Sequence, residues 1–303
     1  MTGTFDPKNG QPSYIKALEF TNKVIARETS GKLSMLKDVT VTMSPLTGAD
    51  DLKLKTVRTD LRTFNRFINE LIYSHGKFDG IEFIDFEDFL SKFSIPDKQI
   101  ALALLMDASY QTLPEVGTIC PKCETVNNIE PRVSIMFNYE DTKIPVWDHE
   151  EPFYEKVFEK VIQLGSTGKI KVGIKFATEA ERDKIFSMMS LDTAKKNLLN
   201  SGGLLDSTDT LLMFVEYIIV EGKDPETGEK TKIELRDKLM DIQGFLNRVP
   251  LEIHDQINEF INETFSDYYP QFYHPVTCKE CGEDYKWAID IETEFFRKAV
   301  PFY

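Results

Sequence analysis

Cys120-Pro121-Lys122-Cys123 and Cys278-Lys279-Glu280-Cys281 together contain every cysteine of the chain. Two Cys-x-x-Cys knuckles with no thiol left over match the ligand set of one tetrahedral Zn²⁺. In a zinc ribbon each knuckle is a tight turn ahead of a β-strand, and backbone N–H groups of the turn point at both sulfurs. Gly282, directly after the last cysteine, suits a residue with positive φ. The separation is unusual, because 154 residues lie between Cys123 and Cys278. If the four thiols share one metal, it ties the middle of the chain to its far end.

Working outward from the knuckles, the two sides align as an internal repeat. Val41 and Met43 correspond to Val172 and Ile174. Phe89-Leu90 corresponds to Phe245-Leu246 at an offset of 156, with a proline following each pair. Leu104-Leu105 matches Phe260-Ile261 at the same offset, and Cys120 matches Cys278 at 158. Each half then reads strand, helix, variable middle, Phe-Leu, proline-started helix, knuckle, strand. Facing each other about a pseudo-two-fold axis, two such halves bring one knuckle each to a common ion.

The periodicities fill in this plan. Val39–Met43 alternates as a strand, and Leu61, Phe64, Phe67, Ile68, Leu71 and Ile72 line one helical face. Ser94-Ile95-Pro96-Asp97 starts a strongly apolar helix through Tyr110. Arg132–Phe137 reads as the strand leaving the first knuckle, and Phe153–Leu164 as a helix. Ile170, Val172 and Ile174 form a strand, Ser207–Val220 an apolar helix, and Ile253–Phe265 an amphipathic one. Tyr285–Ile289 is the strand leaving the second knuckle. The expected architecture is α+β: two related, mostly helical halves with short strands, joined by a zinc ribbon. Residues 1–38 form an N-terminal arm, 39–140 the first half, 141–168 a bridge and 169–303 the second half. The arm includes a short amphipathic stretch with Ile15, Leu18, Phe20, Val24 and Ile25.

Other uses of the knuckles are weighed against one closed structural zinc. A redox Cys-x-x-Cys normally opens a helix, whose N-terminus lowers the thiol pKa, whereas strand-like sequence follows both knuckles here. A catalytic zinc keeps a position open for water, and four cysteines close the site. Two separate metals would require further ligands, for which His274 is the nearby candidate. The ligands assigned are Cys120, Cys123, Cys278 and Cys281.

Composition narrows the function classes. With 36 Lys and Arg against 50 Asp and Glu, the net charge of −14 repels phosphate backbones, and no basic cluster stands out in the sequence. No apolar run reaches the length of a membrane span, and the polar first twelve residues lack the core of a secretory signal. These features suggest a reducing cytoplasm at synthesis, where paired cysteines more often hold metal than form disulfides. There is no Gly-rich phosphate loop, Gly-x-Ser-x-Gly or His-Glu-x-x-His, and the four histidines are scattered. Asp85, Glu87 and Asp88 read as a solvated helix face opposite Phe83, Phe86, Phe89 and Leu90. Tyr268–Tyr273 and the aromatic end from Phe295 to Tyr303 read as packing or partner surfaces.

The order of motifs resembles a known family. A strand and amphipathic helix are followed by the Asp97-Lys98-Gln99-Ile100-Ala101-Leu102 helix and the Cys-Pro-x-Cys knuckle. Cys-x-x-Cys-Gly then leads through Ile289-Asp290-Ile291 to Phe295-Phe296. This resembles the T4-type baseplate proteins of contractile-tailed phages, associated with the baseplate hub and its assembly, over residues 39–303. The resemblance implies a non-enzymatic virion tail protein or tail assembly factor, made in the host cytoplasm. Its partners would be other baseplate and tail proteins or further copies of itself, without nucleic acid or a membrane. The runner-up reading is a cytoplasmic zinc-ribbon adaptor for transcription or replication machinery.

Overall fold

The alternation at Val39–Met43 folds as expected: strand β2 (Thr40–Met43) buries Val41 and Met43 completely. The computed structural model describes residues 17, 21, 27–56, 61–110, 112–188, 207–223, 226–236 and 239–299. Strands β1 (Thr29–Lys32) and β3 (Gly76–Asp79) pair antiparallel on either side of β2. Helices α1 (Gly48–Thr56) and α2 (Leu61–His75) connect β2 to β3. Phe64, Phe67, Ile68, Leu71 and Ile72 of α2 form the buried stripe that the spacing predicts.

Helix α3 (Phe86–Lys92) begins at Asp85, whose carboxylate accepts from the Asp88 N–H at 2.8 Å. Arg66 pairs with Glu87. Ser94 caps helix α4 (Ile95–Ser109) by accepting from Asp97 N–H at 3.0 Å, with Pro96 in the first turn. Ile100 to Met106 are buried all round, so α4 is a central core helix. Strands β4 (Val116–Ile119) and β5 (Val126–Ile129) flank the first knuckle, and α5 (Val133–Asn138) follows.

The chain then builds a four-stranded antiparallel sheet in the order β6 (Val157–Leu164), β7 (Gly168–Lys175), β8 (Val215–Lys223), β9 (Lys230–Arg236). Helices α6 (Glu179–Met188) and α7 (Ser207–Phe214) lie between β7 and β8 in sequence. Next come α8 (Leu239–Leu246), α9 (Leu251–Phe265), the second knuckle between β10 (Phe272–Thr277) and β11 (Asp284–Ile289), and α10 (Ile291–Ala299).

Read in order, both parts run strand, strand, helix, helix, strand, helix, helix, hairpin, helix, and β9 is the one added strand among the described residues. Helices α4 and α9 have 15 residues each and start 156 positions apart. Strands β5 and β11 start 158 apart, as do α5 and α10. The anticipated correspondences at Phe89-Leu90 and Leu104-Leu105 fall inside matching helices, and Cys120 and Cys278 each directly follow the first strand of the matching hairpins.

The halves are not mostly helical, because two multi-stranded sheets and two hairpins take a large share of them. Three misreadings account for the difference. Phe153–Leu164 forms strand β6 from Val157, not a helix. Its Val157/Val161 and Phe158/Ile162 pairs fit a helical face, but the β-branched residues and the Gly165–Gly168 turn favour a hairpin with β7. Ser207–Val220 stays helical only to Phe214, and the run Val215, Ile218, Ile219, Val220 becomes β8. The strand leaving the first knuckle is β5, masked by Asn127 and Asn128, while Arg132–Phe137 turns into α5 after Pro131.

One continuous cluster of buried hydrophobic residues extends from Leu33 to Phe295. Residues 29–36, read as part of the arm, supply β1 and bury Leu33, Met35 and Leu36. The Asp97 carboxylate, itself fully buried, accepts from Ser34 N–H at 2.7 Å, Met35 N–H at 2.8 Å and Leu36 N–H at 3.3 Å. Of the amphipathic arm stretch, Ile15, Leu18, Phe20, Val24 and Ile25 lie outside the described residues. Within Tyr268–Tyr273, Phe272 is buried and the Tyr268 ring lies 5.0 Å from Trp147, so part of this stretch is internal packing. Phe295 is fully buried; Val300–Tyr303 lie outside the described residues. Among the described residues, no helix is long and apolar enough to cross a membrane.

Candidate metal centre

Both knuckles are closed by the same two backbone hydrogen bonds. Cys120 N–H donates to Thr125 O at 3.0 Å and Glu124 N–H to Cys120 O at 3.0 Å. In the second knuckle Cys278 N–H donates to Glu283 O at 2.8 Å and Gly282 N–H to Cys278 O at 3.0 Å. The residue after the second cysteine is left-handed in each, with φ of 58° at Glu124 and 70° at Gly282. Gly282 takes this conformation freely, whereas Glu124 holds it at a steric cost of about 1 kcal/mol.

The fold brings all four predicted ligands together. The sulfurs of Cys120, Cys123, Cys278 and Cys281 lie within 4.8 Å of one another. The two short contacts both cross between knuckles: Cys120 to Cys281 at 3.7 Å and Cys123 to Cys278 at 3.5 Å. A zinc tetrahedron with Zn–S of about 2.3 Å has sulfur–sulfur edges of about 3.8 Å, so the cluster fits one metal ion of that size. A disulfide requires about 2.05 Å, and all four cysteines are free. Cys120 and Cys278 are buried, while Cys123 and Cys281 face solvent, the same alternation in each knuckle. His274 is not part of the cluster: it lies buried in β10 with Nδ1 donating to Pro275 O at 2.8 Å.

The electrostatics favour a cation here. Backbone N–H groups of Cys281 and Glu280, helped by the Asn127 side chain and opposed by desolvation, bring the Cys278 thiol down to about 6. The Thr125 hydroxyl and backbone likewise lower Cys123. At Cys281 the Glu283 N–H favours the thiolate, but desolvation and the three neighbouring sulfurs push the thiol up to about 12. A thiolate at one corner thus resists ionisation at another, and a divalent cation removes that conflict.

A polar frame that the sequence does not advertise sits behind the sulfurs. Asn127, buried in β5, accepts from Lys279 N–H of the other knuckle at 2.9 Å through Oδ1. Its Nδ2 donates to Thr125 O at 3.1 Å and to the Tyr285 hydroxyl at 3.1 Å. Thr118 Oγ1 lies 2.8 Å from the same hydroxyl. Asn127 and Tyr285 occupy equivalent positions of the two hairpins, 158 apart, so this bond joins matching strands of the two hairpins. Only the offset of 158 links them in sequence. At the rim, Lys122 pairs with Glu283 at 2.7 Å.

A second junction lies in the core, where α2 and α4 meet α6 and α10. Glu179, fully buried, accepts from Asn69 Nδ2 at 2.7 Å and Asn65 Nδ2 at 2.9 Å, with Lys98 Nζ at 3.4 Å. Arg182 forks onto Glu292 at 3.0 and 3.1 Å and reaches Glu179 at 3.3 Å. Burial alone would raise Glu292, but Arg182 and Lys98 hold its carboxyl down at about 2. The two cations and two carboxylates cancel, which is what makes their burial tolerable. These groups read in sequence as ordinary helix charges, and nothing in their spacing singles them out. Comparison of the chain with protein-family models, curated protein sequences and solved structures finds no match.

Proposed function

We propose that the chain is a non-enzymatic structural or assembly component of a contractile phage tail baseplate, made of two related halves clasped by one structural Zn²⁺. The observation that carries the clasp is the convergence of four thiols, two from each half, with inter-knuckle sulfur contacts of 3.5 and 3.7 Å. Four sulfurs suit zinc better than harder cations, and four protein ligands leave no open position for a reacting water. The recurring element order and the matching knuckle hydrogen bonds support the relatedness of the halves. The baseplate address rests on the resemblance of the motif order to T4-type baseplate proteins, and the net charge of −14 suits contacts with proteins better than with nucleic acid.

Two measurements test the reading. Metal analysis of the purified chain, with X-ray absorption, is expected to give one zinc per chain and four sulfur ligands. No zinc, or two equivalents, would sink the clasp. Mass spectrometry of purified virions is expected to find the chain in the tail. Presence in infected cells but absence from virions would replace a permanent component with a transient assembly factor. Salt-dependent binding to DNA or RNA would favour a zinc-ribbon adaptor instead.

A further inference from the structure

Strand β9, added beyond the shared element order, turns one corner of an acidic protein basic. Register places Gln163, Lys169, Glu221 and Lys232 in one row across the sheet, on the face opposite Ile162 and Ile170. Beyond that row, on the same face, Lys223 stands directly opposite Lys230. The four lysines and Glu221 line an open groove of about 510 Å³ at the turn end of the sheet. Glu221 is shared by Lys169 at 3.2 Å and Lys232 at 3.9 Å. Among the described residues, Lys223 and Lys230 have no ion-pair partner. Like charges facing each other across a strand pair are destabilising, and a chain of net charge −14 does not need them for solubility.

We propose that this groove and the free edge of β9 bind an acidic, extended segment of a partner protein by strand addition. β9 is the last strand of the sheet, so its outer edge has no neighbouring strand among the described residues. A strand laid along it gains backbone hydrogen bonds, and its side chains alternate between the two faces. Lys230 and Lys232 are on one face and two residues apart, so the segment carries carboxylates at positions i and i+2. The same lysines repel a second β9, which blocks pairing between copies of this edge. A nucleic-acid strand fits poorly. Glu159, Glu221 and Glu234 interrupt the face, and its aromatic residue, Tyr217, is 4% exposed and packed over Gly173. A Cβ at Gly173 would stand 2.4 Å from that ring, so the tyrosine is fixed in place and offers no stacking platform.

The proposal stands independently of the baseplate assignment and of the metal. The test uses the full, metal-loaded chain and a fluorescein-labelled eight-residue peptide alternating Glu with Val or Thr, followed by anisotropy. Saturable binding that weakens with salt is expected. It should fall at least tenfold in Lys223→Gln/Lys230→Gln and stay unchanged in Lys171→Gln, which alters the same face away from the groove. Circular dichroism of each variant checks that the fold is kept. Lack of saturation at millimolar peptide, equal binding of the Gln-for-Glu peptide, or an unchanged affinity in the double variant would each overturn the proposal. Displacement by tripolyphosphate or a single-stranded oligonucleotide at lower concentration than unlabelled peptide would overturn it in favour of a phosphate ligand.

Discussion

At the knuckles the two halves meet through four sulfurs, two of them facing solvent. At the core junction they meet through Lys98, Glu179, Arg182 and Glu292, where Glu179 is fully buried. On the proposed reading the first junction depends on a metal ion taken from solution; the second carries all of its charges within the chain. Removing metal therefore acts on one end of the contact between the halves, while acid or a single truncation acts on the other. The ionic junction fixes which surfaces meet, because an unpaired buried charge is costly. A metal held by the four cysteines would add strength where the two knuckles meet.

The largest effect is expected from Cys123→Ser. Structural zinc contributes about 10–16 kcal/mol in small peptides, and losing a part of that should lower stability by about 5 kcal/mol. Denaturant melts alongside metal analysis would show it, and a strong chelator should reproduce it in the wild type. Full zinc content with an unchanged midpoint would contradict the clasp. Next, Glu179→Ala removes the nearer carboxylate of Lys98, leaving it Asn65 Oδ1 at 2.5 Å and Glu292 at 3.9 Å, and removes the acceptor of Asn65 and Asn69, at a cost of about 3 kcal/mol. Its metal content should stay at the wild-type value. Replacing both members, as in Lys98→Met/Glu179→Leu, should cost less than the sum of the single changes.

Acid sharpens the contrast. Glu292 sits at about 2 in the fold against an ordinary 4.5. A depressed carboxylate stabilises fully above its unfolded value and loses that contribution as pH falls from about 4.5 towards 2. On chelated protein, where metal release cannot contribute, Glu292→Gln should flatten this acid limb by about 2–3 kcal/mol. Asp97 has the opposite sign. Burial, opposed by its backbone and Ser94 donors, raises it to about 6, so its contribution improves as pH falls through that value. A stability curve identical in wild type and Glu292→Gln would remove the ionic junction from the account. The smallest effect belongs to Asn127→Ala. Losing the bond to Lys279 N–H should cost about 1–2 kcal/mol and weaken metal affinity about tenfold, measured by chelator competition.

The candidate metal ligands were legible because Cys-x-x-Cys places two donors in one turn, so half of the site is written locally. The pairing of the two half-sites was legible through the offsets of 156 and 158, which the equal helices α4 and α9 match. The core junction was not legible. Glu179-Ala180-Glu181-Arg182 reads as a charged helix start, and only the packing of α6 against α2 shows that Glu179 points inward. Asp97 likewise reads as a first-turn acid, whereas it also gathers three N–H groups from a loop more than 60 residues away. β6 was misread because its apolar spacing satisfies both periods, and the neighbouring strand decided between them.

The separation of the knuckles also sets an order of events during synthesis. Cys278 is added 155 residues after Cys123, about 8–30 s later at ordinary rates of about 5–20 residues per second. Through that interval each nascent chain displays a half-site with two thiols. Two such chains side by side carry between them the same four sulfurs as one finished molecule. On the proposed reading, a metal ion that arrives before Cys278 is made finds only the two thiols of the first knuckle on that chain.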